Sequence, residues 1–297
     1  MATTKSITQR RQCVLAVVLS LATFATSHAH EFWIEPSTFR PNADQRVDVA
    51  LRVGEKFKGE SVVRKADRIE RFAVCARDAT SEKAHESPIA GTEGKDPAGE
   101  FTAQRPGLNI VIYDSNHARV ELASNKFDAY LKEKGLDAIR RERAQQGEGS
   151  AAVREIYSRC AKALIMVQGA GANGAPARDL ETGMPLEIVA GFDPYADAPP
   201  SAMRVHVLFH GKPLADVQVT ARSRKTAESV QTARSDKDGE ATFQLTDSGP
   251  WLVECTHMRP AGKGADADYE SFWASLTFDA PSAAKQSADP KNPTGGK

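Results

Sequence analysis

Short runs in which apolar and polar residues alternate, each closed by glycine or proline, constrain this chain more than any other feature. Residues 46–53 read Arg-Val-Asp-Val-Ala-Leu-Arg-Val before Gly54, and similar runs occupy 69–74 and 108–113. A period of two puts every second side chain on one face, the pattern of a half-buried strand rather than a helix. Pro41, Gly54, Gly59, Gly91, Pro97, Gly99 and Pro106 punctuate this half into strands joined by turns. An antiparallel sandwich is the expected result.

The pattern changes at 126–146, where Phe127, Tyr130, Leu131, Leu136 and Ile139 recur at three- and four-residue spacings among Glu, Lys, Arg and Ala. This predicts an amphipathic helix broken at Gly135, with Ser124 and Asn125 placed to cap its start. A second short helix is expected over 151–157 and a strand over 163–167. Charges alternate in the Arg140, Arg141, Glu142, Arg143 segment, the mark of a solvated helix face. Residues 169–176, Gly-Ala-Gly-Ala-Asn-Gly-Ala-Pro, contain nothing able to pack a core and mark a boundary. Beyond it, strand-like runs at 203–209, 217–221, 241–245, 251–255 and 275–278 make a second small sandwich. The expected fold is mainly β: two antiparallel β-sandwich domains, Ig-like or transthyretin-like, with a helical insertion at about 125–158 closing the first. The boundaries are a first domain over 30–168, a linker over 169–183, a second domain over 184–280 and a polar, disordered tail over 281–297.

The N-terminus reads as a cleavable export signal. Arg10 and Arg11 precede a short apolar run ending in Ser27-His28-Ala29. That run is well short of the roughly 20 residues a membrane-spanning helix needs, and no later segment replaces it. A periplasmic protein with no membrane span in the mature chain follows. The full chain has 39 basic and 39 acidic residues, and removing Lys5, Arg10 and Arg11 leaves 36 against 39, about −3. Such a balance offers nothing to nucleic acid. Cys75, Cys160 and Cys255 survive processing, an odd number, and each lies in or beside an apolar run as a small hydrophobe would.

Two resemblances follow from longer patterns. Gly211-Lys-Pro-Leu-Ala-Asp-Val217, Ser235-Asp-Lys-Asp-Gly239 and Gly249-Pro-Trp251 resemble the transthyretin-like and carboxypeptidase-regulatory-like modules of secreted proteins. His30-Glu-Phe-Trp33, Gly54-Glu-Lys-Phe57-Lys-Gly59, Lys126-Phe127 with Tyr130-Leu131, Tyr157-Ser-Arg159-Cys-Ala-Lys162, and Tyr269-Glu-Ser-Phe-Trp273 resemble a large bacterial periplasmic family catalogued under a domain of unknown function. Its members often carry the label of a periplasmic component of cobalt or nickel ABC-type uptake, which implies an extracytoplasmic accessory partnered by an uptake system.

The residues permit a matching chemistry. Cleavage after Ala29 would free His30, whose amine and imidazole can chelate one ion. Cleavage after Ala25 would leave Thr26-Ser27-His28, able to hold Cu(II) or Ni(II) in a square plane. Alternation puts Trp251, Val253, Cys255 and His257 on one strand face, with Asp266, Asp268 and Glu270 following on a loop. Were the N-terminal segment to fold back there, His30, Glu31, His257, Asp268 and Glu270 would form a nitrogen-rich set suited to Ni, Co, Cu or Zn. No Gly-x-Ser-x-Gly elbow, His-Glu-x-x-His helix or phosphate loop is present, so no catalytic motif is visible. Three functions remain open: a periplasmic transition-metal-binding accessory linked to cobalt or nickel uptake, a metal-free Ig-like interaction module of the cell envelope partnered by another envelope protein, and a copper oxidase-type enzyme using an N-terminal histidine.

Overall fold

Period-two patterning builds three sheets in the computed structural model, which describes residues 30–77, 84–147, 151–169, 178–196 and 201–281. The export signal, its cleavage points, His28, most of the glycine-rich boundary and the tail from 282 lie outside the described residues. The first half contributes β1 (Glu31–Pro36), β2 (Arg46–Glu55), β3 (Lys58–Val62), β4 (Ile69–Arg77), β5 (Ala84–Pro88), β6 (Gly99–Thr102), β7 (Gly107–Ser115) and β8 (Ala118–Leu122). Then come α1 (Ser124–Glu133), α2 (Asp137–Gln146) and β9 (Val153–Val167). The second half contributes β10 (Leu186–Ala190), β11 (Ala202–Phe209), β12 (Lys212–Pro213), β13 (Gln218–Ser223), β14 (Gln231–Arg234), β15 (Glu240–Gln244), β16 (Gly249–Pro260) and β17 (Tyr269–Ala280).

A nine-stranded sheet in the order β14-β13-β16-β17-β9-β7-β4-β5, with β8 also on β9, runs through both halves. The join is the parallel pairing of β17 with β9, from Tyr269 beside Glu155 to Thr277 beside Ala163; every other pairing between these strands is antiparallel. Each face is covered by a smaller sheet. On one side β10, β11 and β15 close over Ile110, Leu164, Trp251, Val253, Leu276 and Phe278. On the other, β1, β2 and β6 close over Val74, Val111, Ala163 and Ile165. The mainly β, sandwich-type reading holds.

The helical insertion differs from expectation at its end. Gly135, at φ +64°, separates α1 from α2 as the break predicts. Any Cβ there would also lie 2.6 Å from the Gln218 side chain, so glycine lets the helical hairpin sit against β13. The expected helix over 151–157 is instead the first part of β9, with Val153 and Glu155 buried and Arg154 exposed. Pairing to β8 on one edge and β17 on the other overrides the weak helical signal of a few alanines. Ala123, rather than Ser124 or Asn125, occupies the N-cap of α1. Phe127, Tyr130, Leu131 and Ile139 pack with Leu122, Val153, Met258 and Tyr269, anchoring the hairpin on the central sheet.

The segment beginning at His30 is no loose end. Residues Glu31 to Ile34 are buried in β1, which pairs with β2 and crosses the central sheet, where the Thr277 hydroxyl donates to the Ile34 carbonyl at 2.9 Å. Trp33 meets Phe57 edge-on at 5.3 Å and packs over Leu252. Cys75, Cys160 and Cys255 are buried free thiols, as their apolar settings suggest.

Candidate functional site

Strand alternation sorts the side chains of β16 into two environments. Trp251, Val253 and Cys255 enter the larger core, whereas Leu252 and Met258 pack on the opposite side with Trp33 and α1 respectively. Glu254 shares that second side. Register places it beside Thr220 of β13 and Ser275 of β17, while Trp273 lies beside Thr256. The helical hairpin covers one part of this face and β1 another. Between them opens a cavity of about 350 Å³, lined by Glu31, Lys134, Thr220, Arg222, Glu254 and Thr256 among others.

Each charged wall residue is fixed by its element. Glu31 accepts the Phe57 backbone N–H at 2.6 Å through Oε2 and sits 3.0 Å from the Arg222 guanidinium through Oε1. From the other wall, Tyr130 of α1 stacks on Trp273, with centroids 5.4 Å apart and planes 15° from parallel. One helical turn later Lys134 reaches over the same ring at 5.3 Å and pairs with Glu254 at 3.4 Å. Two ion pairs, Glu31 with Arg222 and Lys134 with Glu254, thus share one partly dry space.

Burial first, then repulsion from Glu254, pushes the Glu31 carboxyl up to about 7; the Phe57 N–H, Arg222 and Lys134 oppose this incompletely. Burial acts against the Lys134 ammonium, but Glu254, Glu133 and Glu31 outweigh it and hold its pKa above the ordinary lysine value. Below the stacked ring lies a second carboxyl. Glu155 is buried and pushed up to about 7 by burial, partly offset by hydrogen bonds from Ser271 and from Tyr130 Oη at 3.1 Å. Trp273 Nε1 donates to Ser271 Oγ at 3.0 Å, so the ring beneath Lys134 is linked through Ser271 to Glu155. Thr220 Oγ1, Arg222 Nε and Ser275 Oγ are buried without a hydrogen-bond partner, an uncommon state for groups that cost about 1–3 kcal/mol each when left unsatisfied.

The expected metal set is divided by the same alternation. Glu31 lines the cleft, and His30 lies beside it, its Nε2 4.0 Å from Glu55. His257 points to the other side of β16, its ring 4.5 Å from that of Phe209; burial lowers its pKa, with Arg259 and His210 adding to the effect. Glu270 is held by Arg259 at 2.7 Å and by His117 at 3.0 Å. Asp268 is claimed by Arg154, which pairs with it at 3.0 Å and donates its backbone N–H at 2.8 Å. The structure does not bring His30 and Glu31 together with His257, Asp268 and Glu270: His257 lies on the opposite side of β16 from Glu31, while Asp268 on the loop before β17 and Glu270 within β17 are paired with arginines. Among the described residues, no three His, Cys, Asp or Glu side chains come together as a metal site.

Sequence reasoning missed Lys134, Arg222, Glu254 and Glu155. One signal was available: Glu254 stands alone in Trp-Leu-Val-Glu-Cys, a charge inside an apolar run, which demands a partner.

Among solved structures, the chain is similar to the D0-D1 domain of intimin, at 14% identity, covering 84% of this chain and 97% of that one, with a TM-score of 0.18 that carries no argument about fold or function. No curated protein matches. No helix among the described residues is long and apolar enough to cross a membrane. The family comparison is decisive, because the model described as "Domain of unknown function (DUF4198)" matches residues 27–259, from just before β1 nearly to the end of β16, and the chain belongs to that family.

Proposed function

We propose that this chain is an exported, metal-free binding module of the cell envelope, and that its cleft takes a small solute carrying an amine. The observation that supports this reading is the state of Glu31: a buried carboxyl at about 7, repelled by Glu254 across a cavity in which carboxylates outnumber cations. Glu31, Glu55, Glu133, Glu228 and Glu254 line it against Lys56, Lys134 and Arg222. An entering ammonium would relieve that repulsion. Arg222 and Thr220, each with an unpartnered atom, offer hydrogen bonds to a carboxylate or hydroxyl on the same solute.

A second reading keeps the transition-metal accessory of a cobalt or nickel uptake system. It is favoured by His30, which would be the first residue after cleavage at Ala29 and stands beside Glu55 at the cleft. The two readings separate in one calorimetric experiment on exported protein. Glycine, lysine and 1,4-diaminobutane are titrated in parallel with Ni(II), Co(II), Cu(II) and Zn(II), using wild type, Arg222→Met and His30→Ala.

Solute binding lost in Arg222→Met and kept in His30→Ala supports the cleft. Metal binding lost only in His30→Ala supports the accessory. Solute binding should strengthen as pH rises through about 7 and release a proton, because ionised Glu31 is the form that attracts an ammonium. A set of titrations showing no heat for any amine overturns the first reading.

A further inference from the structure

The most enclosed charges among the described residues lie away from the cleft. Lys162 stands on β9 between Cys160 and Leu164, in the face that packs into the larger core, and its side chain is fully buried. Its Nζ is 3.1 Å from Asp179 Oδ1, 2.9 Å from Glu187 Oε1 and 2.9 Å from the Leu180 carbonyl. Both carboxylates are as deeply buried as the lysine. One ammonium faces two carboxylates in an apolar interior, an arrangement that costs several kcal/mol of desolvation per ion unless the charges are relieved.

We propose that this triad is a modification site, at which the Lys162 amine and the Asp179 carboxyl condense into a side-chain amide. Proton transfer from the ammonium to Asp179 turns the buried ion pair into a neutral amine and a neutral acid. The Nζ lone pair then attacks Asp179 Cγ, forming the C–N bond. Glu187 takes the proton released from nitrogen and delivers it to the departing oxygen, the C–O bond breaks, and one water leaves. Glu187 ends as it began, and no oxidant or cofactor is consumed.

The surroundings favour that step. The Asp179 oxygens accept the backbone N–H groups of Leu180 at 2.7 Å and Ala190 at 2.8 Å, so donors already point to where negative charge develops on the carboxyl during attack. Glu187 is held by the Thr182 N–H and hydroxyl and the Gly183 N–H, at 2.7, 2.8 and 3.0 Å, which fixes the proton carrier beside the amine. The site's full burial keeps out the water that would reverse the reaction. The product removes two charges from the core and leaves an amide whose N–H and carbonyl inherit existing partners.

Intact-mass spectrometry on purified full chain, followed by tryptic mapping, tests this directly. The expected mass is lighter than that of the processed sequence by one water, with the peptides bearing Lys162 and Asp179 recovered as one branched species. Asp179→Asn should close with loss of ammonia instead, and Lys162→Met should show neither loss. Glu187→Gln should leave the uncondensed mass; condensation in that variant would overturn the role given to Glu187. Wild type at the uncondensed mass of the processed sequence after prolonged incubation, with the two peptides recovered separately, overturns the bond itself, whether or not any variant folds.

Discussion

Two buried charge clusters, one on each side of the central sheet, are built from the same ingredients and do opposite things. At Lys162 every polar atom described has a partner, and no solvent reaches the group. At the cleft, ion pairs between Glu31 and Arg222 and between Lys134 and Glu254 stand in an accessible cavity, beside donors left without partners. Satisfied charges rigidify, whereas unsatisfied ones next to open space are held ready for something that enters. The closed cluster ties the approach to β10 onto β9, and the open one marks where the surface is chemically incomplete.

The largest expected effect comes from breaking the closed cluster. Lys162→Met leaves two carboxylates in the core and should destabilise by about 3–5 kcal/mol, read from urea unfolding. A loss well below that would mean Asp179 and Glu187 find water, and the contrast with the cleft would collapse. Next in size is the pH dependence of the open cluster. Glu31 and Glu155 each sit near 7 when folded, above the ordinary 4.5, so the folded state holds both protons more tightly than the unfolded chain does. The stability they contribute is complete below 4.5 and is lost as pH rises through 7, up to about 3 kcal/mol for each. Glu31→Gln should remove its share and flatten the unfolding free energy between about pH 5 and pH 8; an unchanged slope would place the titration elsewhere. The smallest change is expected at His257, across the sheet from the cleft. His257→Phe keeps the contact with Phe209 and should shift stability by no more than about 1 kcal/mol, leaving amine binding intact. Loss of binding in that variant would show that the two faces communicate.

What could be read from the chain in advance follows from the range of the interactions involved. Alternation in β2, β4 and β7 and the break at Gly135 are local, and they were legible. The parallel pairing of β17 with β9 spans more than a hundred residues, and no local pattern announces it. The histidines drew attention because imidazole is the common metal ligand, yet His257 is turned into an aromatic cluster with Phe209 and Phe272. Each of the two charge clusters has a member that is a lone charge set into an apolar strand. Lys162 in Cys-Ala-Lys-Ala-Leu and Glu254 in Leu-Val-Glu-Cys each broke the local pattern, and both turn out to be buried or nearly so, each paired across the fold. Such a break is a better guide to a site here than any count of histidines.

The β9 to β17 pairing also sets an order of assembly. Until β17 arrives, the edge of β9 from Glu155 to Ala163 presents unpaired backbone groups, the kind of template that recruits other chains. Closing it is a slow, non-local event. A ribosome that has delivered only the first half has therefore delivered something aggregation-prone. Chains shortened before Tyr269 are expected to be lost to aggregation or proteolysis rather than to persist as a free-standing N-terminal module.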